Sequence, residues 1–211
     1  MKFENLPLDF FRRDARKVAE DLLGKIIVRN YMGYKLTGRI VETEAYVGKI
    51  DKASHAYNYK KTTRTEPLFK SAGIAYVYKI YGMYNCMNIV TGCEGDPQGV
   101  LIRAIEPIEG IEVMSENRFN KPFTKLKPRE ILNLTSGPGK LCIALNIDKS
   151  LNTHSILSEE LSLYADDFKD FKIVYSKRIG IDYAEEAKDF LWRYYIECNK
   201  YVSVIDKKSS L

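Results

Sequence analysis

Five strand-length runs rich in β-branched and aromatic residues, at residues 25–28, 35–47, 75–80, 88–90 and 100–105, are each bounded by Gly, Pro or Asp. Strands separated by short turns pair antiparallel, because a parallel pair needs a crossover of a dozen or more residues. Helical signals lie outside this cluster. Asp14 is placed as an N-cap, Val18, Leu22 and Leu23 form an apolar stripe, and Gly24 stands where a glycine ends a helix. Further helices are expected at residues 107–117, 140–145 and 183–191, with an exposed polar loop at 117–127. The pattern predicts an α+β fold with a largely antiparallel sheet and peripheral helices.

Nothing in the sequence divides it. Its 211 residues suit one large domain or two small ones, and no repeat, low-complexity segment or linker separates them, so a single domain over residues 1–211 is expected. At 45% hydrophobic and 29% charged residues the composition excludes a disordered, collagenous or fibrous chain. The net charge of +5 permits nucleic acid or other anionic partners without demanding them. The first residues carry acids and Pro where a signal peptide would be apolar, and no apolar run approaches the roughly 18 residues of a membrane span. A cytoplasmic protein without membrane contact is expected. Four Cys with no CxxC pair and two widely separated His give no metal-ligand spacing, so reduced structural thiols and no metal or cofactor are expected.

The chain holds 15 Tyr beside 9 Phe and one Trp. Tyr suits strands and cores, and its flat face also suits stacking on bases. Composition does not choose between these uses.

Four segments carry candidate chemistry. In GRIVETEAYVG, period two puts Val41, Thr43, Ala45 and Val47 on one face of a strand and Ile40, Glu42, Glu44 and Tyr46 on the other. Two carboxylates then share a face, either as ordinary solvated charge or with one of them lining a cleft as a general base. In AYVYKIYGMYNCMNIV, Tyr76 and Tyr78 share a strand face, and Tyr81 beside Gly82 sits at the bend and projects outward. Most of these Tyr are expected to fill core, whereas Asn88, in an apolar stretch, must satisfy a buried amide. In GVLIRAIEPIEG, Arg103 lies among apolar neighbours and needs an acidic partner, a phosphate or water. The segment SGPGK (residues 136–140) departs twice from a phosphate loop. It leaves a tight turn into a helix whose amides and Lys140 could meet a phosphate. His55 has no nucleophile pattern around it and is by itself an ordinary structural or surface residue.

Together the strings RIVETEAYVGKIDKASHA (39–56), AYVYKIYGMYNCMNIV (75–90), GVLIRAIEPIEG (99–110), LTSGPGKLCIAL (134–145) and YVSVIDK (201–207) resemble the alkyladenine, or 3-methyladenine, DNA glycosylases, in that family's order and over most of the chain. The resemblance implies a single mixed α/β domain with a curved, largely antiparallel sheet. It implies hydrolysis of the N-glycosidic bond of alkylated or deaminated purines such as 3-methyladenine, 7-methylguanine, hypoxanthine and ethenoadenine, leaving an abasic site. Glu44 would activate the water, with Arg103 and the backbone carbonyl of Ile179 helping to hold it. Tyr46, His55 and Tyr78 would wall the pocket around the extruded base, Asn88 would obstruct the exocyclic amine of guanine, and Tyr81 would fill the gap in the duplex. Met83 and Tyr84 beside it, with Arg64 and Lys140, would contact DNA.

Extrusion of a base costs a few kcal/mol and least for a damaged one, and facing aromatic rings favour a cationic alkylpurine by roughly 0.5–2 kcal/mol. With no Lys nucleophile assigned, a monofunctional enzyme is expected. The expected partner is double-stranded DNA containing damaged purines, met by a monomer. The form resembles the compact bacterial members, which would place it at the nucleoid. Leu68 stands where the family commonly has Met, and Tyr201 where some relatives have Trp. A non-catalytic damaged-DNA-binding protein of the same fold is the alternative, and a small-molecule hydrolase or transferase using the same pocket is a third reading.

Overall fold

The computed structural model describes residues 4–206; residues 1–3 and 207–211, with the last residue of the YVSVIDK string, lie outside it. The chain begins with a two-residue strand, β1 (Glu4–Asn5), and one turn of helix, α1 (Leu8–Phe11). Helix α2 (Ala15–Asp21) forms as its caps predict. Asp14 accepts a hydrogen bond from the Arg16 N–H at 2.9 Å, Ala15, Val18 and Ala19 are buried, and Gly24 closes the turn that follows.

From there β2 (Ile26–Tyr31) turns back into the 14-residue β3 (Tyr34–Val47). Next come the hairpin β4 (Ala75–Ile80) and β5 (Tyr84–Val90), and then β6 (Gln98–Glu109). Three helices follow, α3 (Ile111–Phe119), α4 (Pro128–Leu132) and α5 (Pro138–Ala144), and three short strands, β7 (Leu161–Ala165), β8 (Ile173–Ser176) and β9 (Arg193–Ile196). The strands make one sheet in the order β1-β7-β2-β3-β6-β5-β4, with β9 added to β3 and β8 to β9. Each of these pairings is antiparallel, as the spacing of the strands predicts.

Strand β3 organises the site. One edge pairs with β6 from Thr37 to Val47, and the other passes from β2 in its first half to β9 at Glu42, Thr43 and Glu44. Its acidic residues therefore lie in the middle of the sheet. Between Ile40 and Glu42 the register slips, so that Ile40 faces Ile105 and Glu42 faces Ala104. Such a slip is a β-bulge, and it resets the alternation of side chains. Ile40 consequently joins Val41, Ala45 and Val47 in the main apolar core rather than sharing the face of Glu42 and Glu44.

Two expected helices differ. Residues 107–109 continue β6, Pro107 being opposite Gly38 at a second register shift where its missing N–H is tolerated. Helix α3 starts only after Gly110, whose φ of 74° and backbone lie too close to Leu36 for any side chain. Residues 183–191 hold a short 3-10 turn, Glu185–Asp189, before β9. The expected loop at 117–127 contains the end of α3 and a further 3-10 turn, Phe123–Lys125.

The main core lies between the sheet and α2, α3 and α5. Two small apolar clusters stand apart from it. One joins Ala53, Ile181, Ala184 and Ala187 to Tyr46, and the other joins Ala56, Leu68, Tyr76 and Val90 to Tyr78. Each cluster supports one aromatic wall of the cavity described next.

Candidate active site

A cavity of about 480 Å³ opens between β3, the β4–β5 hairpin and the segment around Ile179. Pockets that enclose a small molecule usually run to about 300–1,000 Å³, so it has room for a purine. Tyr46, His55, Tyr78, Asn88, Arg103 and Ile179 all border it, as do Tyr81 and Arg64. Residues spread over more than 130 positions of sequence are thereby brought to one place.

Glu44 lies behind this surface rather than on it, with none of its own surface exposed. That corrects the expectation that a glutamate itself lines the cleft, and it excludes a solvated carboxylate. Its Oε1 accepts from the Ile179 N–H at 2.8 Å and faces Arg103 Nη1 at 3.2 Å, while its Oε2 accepts from the Tyr46 hydroxyl at 2.8 Å. All three donors border the cavity, so the carboxylate forms its floor one layer down. The contact of Ile179 here is its N–H, a role the sequence reading did not assign.

Arg103 finds the acidic partner its apolar surroundings require, and finds two. Its Nε donates to Glu42 Oε1 at 3.0 Å while Nη1 faces Glu44. Burial opposes the charge, and the facing carboxylates of Glu44 and Glu42 outweigh it and raise the guanidinium above its ordinary value.

The aromatic walls are held from behind. The Arg178 guanidinium lies 4.7 Å from the Tyr46 ring centre and is neutralised by Asp51 through two contacts of 2.5 and 2.7 Å, both side chains fully buried. Burial and then the neighbouring Glu44 push the Tyr46 hydroxyl well above its usual range, which keeps it a donor to that carboxylate. On the other wall Tyr76 and Tyr78 stack with centroids 5.0 Å apart, and His55 meets Tyr78 edge-on at 4.7 Å.

His55 Nδ1 lies 3.0 Å from the Tyr76 hydroxyl, and Arg64 Nη2 lies 3.3 Å from Nε2. A guanidinium can only donate, so Nε2 accepts and Nδ1 carries the proton. Burial, and then the charge of Arg64, hold His55 down to about 4. It is therefore a neutral hydrogen-bonding wall residue. Arg64 also lies 5.3 Å from the Tyr78 ring, which places it on the rim. Asn88 is buried beside the Tyr78 hydroxyl.

At the mouth, the turn from Ile80 to Met83 is closed by the Met83 N–H on the Ile80 carbonyl at 3.2 Å, and Tyr81 has a left-handed φ of 51°. Tyr81 is 84% exposed, and Met83 and Tyr84 are exposed beside it. Gly139 of α5 packs against Tyr84, so the SGPGK turn adjoins the hairpin. Lys140, however, donates to the Asn133 side chain and is partly buried, and α5 is only seven residues long. The expected phosphate contact there has little geometric support.

Asp51, Arg178, Tyr76 and Tyr183 are cavity or supporting residues that the sequence reading did not select. Asp51 and Arg178 meet across 127 positions, and no local pattern links them. The cavity also borders the thiol of Cys86, which burial pushes up to about 11, and the exposed Lys79. Among the described residues no three His, Cys, Asp or Glu side chains are grouped to hold a metal ion.

A family model described as methylpurine-DNA glycosylase matches residues 9–200. The chain belongs to that family. Among curated proteins, one from Clostridium botulinum (strain Langeland) is 56% identical over 201 residues, covering 94% of this chain and 98% of its own, and is named "Putative 3-methyladenine DNA glycosylase". A protein of the same name from Clostridium tetani (strain Massachusetts) is 58% identical over 195 residues, 92% of this chain and 96% of its own. Membership in the methylpurine-DNA glycosylase family places the chain among the DNA glycosylases of DNA repair. No helix among the described residues is long and apolar enough to cross a membrane.

Proposed function

We propose that this chain removes alkylated or deaminated purines, among them 3-methyladenine, 7-methylguanine, hypoxanthine and ethenoadenine, from double-stranded DNA. The damaged nucleotide is extruded into the cavity and its N-glycosidic bond is hydrolysed, leaving an abasic site. The observation that carries this reading is a buried carboxylate, Glu44, bonded to three residues that border an aromatic-walled cavity.

Glu44 acts as general base toward water, and Arg103 stabilises the carboxylate and orients it. The extruded base lies between Tyr46 and the Tyr78–His55 wall. Cationic bases gain from stacking on these rings and are already good leaving groups. Neutral His55 completes that wall without repelling them. Tyr81 occupies the gap in the duplex, with Met83 and Tyr84 against the groove and Arg64 at the rim. Asn88 narrows the cavity where the exocyclic amine of guanine would lie. The chain works as a monomer, and at the nucleoid.

Incubation of the chain with a duplex carrying one hypoxanthine or ethenoadenine, followed by alkali, tests this. Alkali-labile cleavage at the lesion is expected, and its absence together with no release of 3-methyladenine from methylated DNA defeats the reading. Strand cleavage before alkali, or an adduct trapped by borohydride, would defeat the monofunctional assignment and point to Lys79, the lysine that borders the cavity.

A second reading, binding of damaged DNA without catalysis, draws on the enclosure of Glu44, one of whose oxygens is occupied by the Tyr46 hydroxyl. It predicts lesion binding with no turnover even under single-turnover conditions.

A further inference from the structure

Glu42 takes no part in the chemistry proposed above, yet it is buried as completely as Glu44. Its Oε1 accepts from Arg103 Nε, Arg193 Nη1 and Ser203 Oγ, each at 3.0 Å, and its Oε2 accepts from the Ser203 N–H at 2.7 Å. An isolated buried carboxylate is costly. This one offsets two arginines, so that Glu42, Glu44, Arg103 and Arg193 form a balanced set of buried charges.

Arg103 is the shared member. Nε goes to Glu42, Nη2 lies 3.4 Å from Ser203 Oγ, and Nη1 faces Glu44 at 3.2 Å. A guanidinium is planar and rigid. Two edges held by Glu42 and Ser203 therefore set the direction of the third, which is the one that meets the proposed general base.

The supports of Glu42 are themselves tied to the segment that presents Ile179. Arg193 donates to the Lys177 carbonyl at 2.9 Å, to the Val204 carbonyl at 2.8 Å and to Ser176 Oγ at 2.9 Å. Ser176 in turn donates to Asp206 at 3.1 Å. Residues 203–206 thus contact both Arg103, through Ser203, and the strand leading to Ile179, through Asp206 and Ser176.

We propose that Glu42, clamped by Ser203, is a positioning residue of the site, which makes residues 203–206 part of the apparatus that aims Arg103 at Glu44. The inference rests on the excision reading. A displacement of about 1 Å in a catalytic group can cost roughly 100-fold in rate. That is the scale expected when Glu42 loses its charge.

The test uses the full chain and the variants Glu42→Gln, Ser203→Ala and Ser203→Thr. Three quantities are measured for each: the single-turnover rate of hypoxanthine excision, affinity for a duplex with a tetrahydrofuran abasic analogue, and melting temperature. Glu42→Gln should lower the single-turnover rate roughly 100-fold with lesion affinity little changed. Ser203→Ala should lower it less, and Ser203→Thr, which keeps the hydroxyl, should restore it. If Glu42→Gln does not fold, the Ser203 pair decides, since Ser203→Ala leaves every charge paired. Wild-type rates per folded molecule in the Ser203→Ala variant and in any Glu42→Gln that folds, or a Ser203→Thr no faster than Ser203→Ala, would overturn the positioning role while wild-type excision stands. A wild-type chain that excises nothing would remove the excision reading and this inference with it.

Discussion

The backbone N–H of Ile179 donates to Glu44 Oε1 at 2.8 Å, joining residues 135 positions apart in the sequence. The carboxylate at the floor of the cavity is thus fixed by the main chain of a loop as well as by the Arg103 and Tyr46 side chains. Gly180 follows directly, with a φ of 75° and open space where a side chain would go. Gly180→Ala meets no clash but forces a left-handed conformation that costs about 1 kcal/mol. The expected result is a small loss of stability with a disproportionate loss of excision rate, because strain there displaces the Ile179 N–H. Equal excision rates for the variant and wild type would show that this contact does not hold Glu44 in place for the reaction.

Tyr81 is exposed at the tip of the hairpin and has almost nothing to lose in the free protein. Tyr81→Ser should change stability by less than about 0.5 kcal/mol and weaken capture of the extruded base. A fluorescence titration with a duplex containing ethenoadenine reads that equilibrium directly. An unaltered titration would remove Tyr81 from the role of wedge.

Asn88 borders the cavity and is buried on β5, the strand next to β6. If it excludes the exocyclic amine of guanine, Asn88→Ser should release guanine from undamaged duplex while retaining hypoxanthine excision. Mass analysis of the released bases checks this, and a variant that still spares guanine contradicts the assignment.

His55 gives a pH dependence of stability with a definite sign. Unfolded, it takes up a proton below about 6.5, whereas folded it stays neutral down to about 4, because of burial and then Arg64. The unfolded state therefore binds more protons between those values, and stability falls as the pH drops through that window, by up to about 1.4 kcal/mol per pH unit. His55→Gln should lose less melting temperature than wild type between pH 7 and pH 4.5. An identical decline in both would mean that His55 is not held neutral.

Much of the fold was legible because its signals are local. Asp14 and Gly24 bracket α2 within a few residues, and β4 starts and stops at the predicted Ala75 and Ile80. Strands β7, β8 and β9 were not foreseen. They are four or five residues long, and their place is set by partners far away in sequence. The helix expected over 107–117 begins only at Ile111, because Pro107 is held in β6 at a register shift, where its missing N–H is tolerated. The bulge near Val41 had no sequence signal, and it separates Ile40 from the two glutamates. At the site, Arg103 and Asn88 stood out as polar residues in apolar stretches, and Glu44 and Tyr46 only by sharing one strand face, their roles being implied by the family resemblance. Asp51, Arg178, Arg193 and Ser203 did not, because what makes each one matter is a partner contributed by a distant segment.

The most direct measurement is single-turnover excision of hypoxanthine by Glu44→Gln, made beside binding of a tetrahydrofuran-containing duplex. The amide keeps the size of the side chain and loses the base, so lesion binding should persist while excision falls by at least about 100-fold. Excision at the wild-type rate would contradict Glu44 as the general base, whatever the cavity around it binds.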